Sequence, residues 1–251
     1  MKYFHSQIKT ALANPVLQAA LDANAEKRIL ARKTAYASLP QPLEVLRQRA
    51  HTVRADTIRN LDEHLEKFAA NLQANGIILH RAADTREALH IILDITRENN
   101  AKLIAKSKTM LSEEISLNAA LEEAGLQPIE TDLGEYIVQL RDERPAHIIT
   151  PAVHLRRQEV GQTFHEKLGI PESDHIPTLT DAARAALRQT FLDADMGISG
   201  VNFGVAESGS LCIVTNEGNG RMVTTLPPIH IALMGMERLV PNFDDLALML
   251  S

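Results

Sequence analysis

GISGVNFGVAESGSLCIVTNEGNGRMVTTLPPIHIALMGME, residues 197–237, holds seven of the chain's 12 glycines and its single cysteine. Apolar-rich runs at Val201–Ala206, Ser210–Thr215, Arg221–Thr225 and His230–Met234 alternate with short Gly, Asn, Glu and Ser segments. That alternation predicts consecutive strands joined by tight turns. The turns Glu207–Ser210 and Thr215–Gly220 carry polar groups where glycine, having no Cβ, lets backbone approach a ligand closely. Candidate ligand-binding residues here are Asn202, Ser208, Gly209, Thr215, Asn216, Glu217 and Gly218. The amides of Gly204, Gly209, Gly218 and Gly220 are candidate anion-binding concavities. Glu207 follows an apolar run, and partial burial there would raise its carboxyl pKa, so it is the candidate catalytic acid or base. His230, after Pro227–Pro228, either points into the same crevice or is a satisfied core histidine. Cys212 sits inside Leu211–Val214 and reads as a buried, inert thiol. The competing reading of the whole stretch is a set of hairpins with no ligand.

Upstream, strand and helix patterns alternate from Gly76 onward. Ile77–Leu79 reads as a first strand, and Asp84 with Glu87 as a capping box opening a helix to Asn99. Lys102–Ala105 reads as a second strand, followed by a helix from about Ser112 to Ala124 closed by Gly125. Gln127–Thr131 and His147–Thr150 complete the strand set, with helices around Leu155–Leu168 and Asp181–Asp193. This order implies a Rossmann-like α/β fold, an open parallel sheet with helices on both faces. The glycine-punctuated strands would then extend it in antiparallel fashion. Lys106–Ser107–Lys108 falls just after a strand, where strand ends meet a crevice. Two ammonium groups and a hydroxyl before a helix form a candidate cradle for a carboxylate or phosphate, the alternative being a solvated basic loop. Glu113 and Glu114 fall in a first helical turn, where carboxylates are favoured anyway, which makes Glu114 the weaker candidate for a site acid.

Residues 1–75 read as an N-terminal helical arm and residues 76–251 as the α/β domain. Asn14–Pro15 starts a helix that runs to Ser38 and breaks at Pro40–Gln41–Pro42. From Leu43 to Asn75 apolar residues step by threes and fours, predicting one long amphipathic helix ended by Gly76. It is either a docking arm for a partner or a helix packed on its own domain.

The chain's 251 residues carry a net charge of −6, which argues against a nucleic-acid partner. No apolar run reaches the roughly 18 residues of a membrane span, and the first 15 residues lack a secretory apolar core, so the expectation is cytoplasmic. The ten histidines show no HxH or HExxH spacing, and no metal site is expected. No G-x-G-x-x-G, G-x-S-x-G or P-loop pattern occurs, which disfavours a dinucleotide site or a serine-nucleophile elbow.

Gly200–Arg221 (GVNFGVAESGSLCIVTNEGNGR) and Leu226–Pro241 (LPPIHIALMGMERLVP), with Lys106–Leu140 upstream, resemble the signature of the LUD-domain family. Within it, the chain resembles in particular the iron-sulfur subunits of bacterial L-lactate oxidation systems. The resemblance implies a fold similar to the sugar-phosphate isomerase and CoA-transferase superfamily, which holds anionic ligands at the carboxyl edge of the sheet. It also implies electron transfer from L-lactate, yielding pyruvate, in a complex with other lactate-utilization subunits. The 4Fe-4S clusters belong to a cysteine-rich segment after the LUD domain in that family. One cysteine cannot hold such a cluster, which needs about four thiolates, so no cofactor is expected within these residues. The chain reaches Ser251, after an apolar LALML run, about where that segment would begin, and the expectation is a piece of a longer protein, the alternative being a natural cluster-less paralogue. The present residues would supply small-anion binding and subunit docking. The alternatives are a stand-alone transferase or ligase on a CoA, folate or sugar-phosphate substrate, with Glu207 as its chemical group, and a non-catalytic assembly module.

Overall fold

The structure is a computed structural model, and it describes residues 2–147 and 150–251. Helices α1 (Lys2–Ala13) and α2 (Pro15–Ala37) open the chain. Asn14 caps α2 by accepting from the amides of Val16 and Leu17 at 3.0 and 3.2 Å, with Pro15 in the first turn, as its fixed φ favours. The single helix expected over residues 43–75 is two, α3 (Leu43–Arg59) and α4 (Leu61–Ala74). Asn60 breaks it, leaving helical φ/ψ and turning its side-chain amide onto the Asp56 carbonyl at 3.2 Å. Gly76 ends α4 at φ +78°, a conformation that costs glycine nothing.

Ile77–Leu79 forms no strand and joins no sheet, so the first expected strand is a linker instead. Asp84 accepts from the Glu87 amide at 2.9 Å and opens α5 (Thr85–Glu98), while the Glu87 carboxylate reaches back to the Ala83 amide at 2.8 Å. Strand β1 (Leu103–Lys106) is followed by α6 (Met110–Glu114), α7 (Leu117–Glu123) and strand β2 (Gln127–Glu130). Next come α8 (Leu133–Leu140), α9 (Arg157–Leu168) and α10 (Ile176–Asp193). The strand expected at His147–Thr150 turns on Ile148 and Ile149, which lie outside the described residues.

The glycine-rich stretch departs most from expectation. Strand β3 (Met196–Gly200) precedes β4 (Phe203–Val205) and β5 (Ser210–Cys212). Arg221–Thr225, expected as a strand, lies in the helix α11 (Asn219–Thr225). Gly218 at φ +83° turns the chain into that helix, and a Cβ on Gly220 would lie 3.1 Å from the Thr215 Cβ. Strands β6 (Ile229–Leu233) and β7 (Leu239–Val240) and helix α12 (Phe243–Leu250) complete the chain. The apolar 246–250 run therefore lies in a helix, in contact with α3, β4 and β7.

Two compact units divide these elements. One comprises Met1–Leu39 and Leu133–Arg188, the other Pro40–Asp132 and Gln189–Ser251, so the 75/76 boundary falls inside the second. In the first, Ile137, Phe164, Leu179 and Ala183 form the core. In the second, β2-β1-β3-β6 form an open parallel sheet, in agreement with the Rossmann-like expectation. The late strands do not simply extend it antiparallel. β6 joins it parallel to β3, while β4 and β5 pair antiparallel in a separate sheet, β5-β4-β7. Ile92, Ile104, Leu117, Leu121, Met196 and Ile198 bury one face of the main sheet under α5 and α7. Phe68 and Leu72 of α4 pack with Ala206 and Leu239 of the second sheet, so the amphipathic face of α4 is covered by its own unit.

Candidate functional site

In an open parallel sheet, ligands sit outside the carboxyl ends of neighbouring strands whose onward connections leave to opposite faces. β1 and β3 are such neighbours. From β1 the chain goes to α6 and α7, and α7 packs on the face that carries Ile104, Met196 and Ile198. From β3 it goes through β4 and β5 to α11, which lies over the other face at Gly197. Side chains alternate along a strand, so Gly197 and Ile198 face opposite ways. A Cβ on Gly197 would lie 2.0 Å from the Val223 carbonyl oxygen, which is how closely α11 approaches. The mouth of this crevice is formed by Ser107–Thr109 after β1 and Val201–Asn202 after β3. A Cβ on Gly200 would fall 2.6 Å from the Thr109 Cβ, so the two lips already touch there.

Beneath the mouth lies a buried polar cluster. Lys106 and Glu130 are register partners at the ends of β1 and β2, with side chains 1% and 5% exposed. The Lys106 ammonium donates to Glu130 Oε1 at 2.7 Å and to Asn118 Oδ1, and the Asn118 amide donates to the same Glu130 oxygen at 2.7 Å. Two buried charges are tolerated because each satisfies the other within a hydrogen-bonded net. Thr131 donates its hydroxyl to the Lys106 carbonyl at 2.7 Å and accepts from the Asn219 amide at 3.5 Å. Thr215 donates to Asn219 Oδ1 at 3.2 Å, which ties the loop before α11 to the carboxyl edge of β1 and β2. The Ser107 amide donates to the Ile198 carbonyl at 2.9 Å. On the α11 face, fully buried Ser199 lies 2.7 Å from His230 Nε2. Burial holds the His230 imidazole below its ordinary pKa, favouring the neutral ring.

Lys106, Ser107, Thr215, Gly218 and His230 are thus drawn to the main sheet, with half-buried Lys108 on the loop after β1. The remaining residues singled out in the sequence sit elsewhere. Glu207 follows β4 in the second sheet, is exposed, and accepts from the Phe243 amide at 3.0 Å, capping α12. Ser208 and Gly209 form a turn seated on α4. Asn75 donates to the Ser208 carbonyl at 2.8 Å, and a Gly209 Cβ would meet Asn71 backbone at 2.7 Å. Asn202 accepts from the Val214 amide at 2.7 Å, bracing the β4–β5 hairpin. Asn216 and Glu217 are exposed. A groove of about 330 Å³ lined by Arg54, Thr57, Ile58, Leu61, Met236 and Glu237 involves none of the residues of this cluster. There Arg54 donates to the Glu237 carbonyl.

The model of the LUD domain matches residues 65–251. The chain belongs to the LUD-domain family. It is 43% identical over 249 residues to lactate utilization protein B of Macrococcus caseolyticus (strain JCSC5402), covering 99% of this chain and 52% of that protein. Lactate utilization protein B of Bacillus pumilus (strain SAFR-032) is 41% identical over 246 residues, 98% of this chain and 52% of that one. The "Uncharacterized electron transport protein YkgF" of Escherichia coli (strain K12) is 40% identical over 248 residues, again 99% and 52%. The chain spans about half the length of these curated relatives. No solved structure matches it.

Glu130, Asn118, Thr131, Ser199 and Asn219 of this LUD domain were not singled out in the sequence. One signal was available for the first: LIAK and QPIE are parallel neighbours that end in opposite charges at the same register position. The residues present do not fit an iron-sulfur cluster. Cys212 is the only cysteine, and no group of three or more His, Cys, Asp or Glu is placed to hold a metal among the described residues. Burial pushes the Cys212 thiol up, which disfavours the thiolate. No helix among the described residues is long and apolar enough to cross a membrane.

Proposed function

We propose that this LUD domain acts in lactate utilization, taking part in the oxidation of L-lactate to pyruvate within a complex of several subunits. The observation that carries the reading is 43% identity to a lactate utilization protein B across 99% of the chain. Oxidising lactate to pyruvate releases two electrons and two protons. In this reading 4Fe-4S clusters outside these residues accept the electrons, while the domain binds a small carboxylate and docks the other subunits. The carboxylate would sit at the β1–β3 mouth, near the Ser107–Thr109 loop, with Lys108 supplying positive charge and the buried Lys106–Glu130 pair keeping the loop in place.

Two measurements separate the parts of this reading. Deleting the gene in its own organism should abolish growth on L-lactate as sole carbon source, and returning it should restore growth. Undiminished growth removes the lactate role. Calorimetry of the purified chain with L-lactate, pyruvate and inorganic phosphate should give saturable heat for a carboxylate, weakened about tenfold by Lys108→Ala. No heat with either carboxylate removes the ligand site and leaves the lactate role standing.

A further inference from the structure

Helix α2 has 23 residues, and most of them are exposed. Two hydrogen bonds tie it to the rest of its own unit: Arg28 donates to the Thr150 hydroxyl at 2.8 Å, and Arg156 donates to the Val16 carbonyl at 3.4 Å. On the helix face away from Arg28, Asp22, Glu26, Ile29, Leu30, Lys33 and Ala37 line up at spacings of three and four residues. Ile29 is 48% exposed and Leu30 67%. Helices draw most of their stability from burying an apolar face, and within their own unit Ile29 and Leu30 stay exposed.

The charges flanking Ile29 and Leu30 have a definite order. Glu26 lies on the N-terminal side and Lys33 on the C-terminal side. At three and four residues' distance along the helix, each finds Ile29 and Leu30, not an opposite charge. Laid antiparallel against a second copy, with the Ile29–Leu30 bond at the centre, the face meets its own mirror. Ile29 then lies on Leu30 of the second copy, Glu26 on its Lys33, and Lys33 on its Glu26. Asp22 meets the small Ala37. A twofold contact requires this kind of self-complementary patch, and an unrelated partner would not.

We propose that α2 is the contact element of a twofold-symmetric homodimer, with Ile29 and Leu30 at its centre and Glu26–Lys33 ion pairs on either side. Sedimentation equilibrium of the purified chain should show a dimer, and Ile29→Glu with Leu30→Glu should make it monomeric with unchanged helical circular dichroism. Glu26→Lys alone and Lys33→Glu alone should each weaken the dimer about tenfold, because each turns two attractive pairs into repulsive ones. The double variant Glu26→Lys, Lys33→Glu should restore it, and mixing the two single variants should give heterodimers. A wild-type chain that stays monomeric up to about 100 μM, even if it binds another protein or a membrane, overturns the proposal. So does a dimer whose strength is the same in all these variants.

Discussion

Lys106 and Glu130 hold the carboxyl edge of the sheet together from inside, and their energetics follow from burial. An ammonium with a 1% exposed side chain is tolerated because a carboxylate and an amide oxygen replace its water. Replacing it with Met would leave the Glu130 carboxyl buried without its cation. Lys106→Met should therefore lower unfolding free energy by about 3–5 kcal/mol in urea titrations. Adding Glu130→Gln should recover part of that loss, and a single-variant cost under about 1 kcal/mol would contradict the role given to the pair. His230 offers a test through pH. Burial lowers its folded-state pKa below the ordinary value of about 6.5, so the folded ring binds protons less readily than the unfolded one. Its contribution to stability is whole above pH 6.5 and is lost as pH falls through the folded value. His230→Gln keeps an amide near Ser199 and removes the titration. The stability gap between wild type and this variant should narrow from pH 7.5 to pH 5, as measured by thermal unfolding. A gap that widens toward acid would place the sign of the shift in error.

Elements with a strong period, such as α2, α5 and α10, were legible in the sequence because one residue in three or four repeats an apolar face. β1 and β2 were legible within a residue for a different reason, as short runs set between helical patterns. β3 was not, because MGISG spends two of five positions on glycine and shows no β-branched alternation. The glycines are there for the neighbour: α11 lies so close that Gly197 has no room for a Cβ. α11 itself reads as a strand from RMVTT, and its helical form depends on the left-handed turn at Gly218 and on packing over β3, neither of which a local pattern reports. The site suffered in the same way. Glu207 sits after an apolar run, the place expected of a catalytic carboxylate, yet that run belongs to the second sheet, where the carboxylate caps α12. Gly197→Ala tests this element pairing directly. The added methyl meets backbone, which cannot rotate away, so the cost should exceed the usual 1–3 kcal/mol of overpacking, seen as a fall of many degrees in melting temperature. If the variant melts within about 2 °C of wild type, α11 is not seated on Gly197.

Across the whole molecule the chain passes between its two compact units three times, at 39/40, 132/133 and 188/189, so neither unit is a continuous segment. This decides which truncations can fold. A cut at residue 76, where the strand-helix alternation begins, removes Phe68 and Leu72, the apolar cover of Ala206 and Leu239. The Phe68 ring also occupies the space a side chain on Gly204 would need, 2.7 Å from that Cβ position. Uncovering two large side chains' worth of core costs several kcal/mol, comparable to the whole stability of a domain this size. A cut at residue 40 removes α1 and α2, which belong to the other unit, and leaves α3 and α4 in place. Residues 40–251 should therefore keep hydrogen-exchange protection at the β4 and β7 amides, while residues 76–251 should lose it and aggregate. Equal protection in the two fragments would mean that α4 is an appendage to the second sheet and not part of its core.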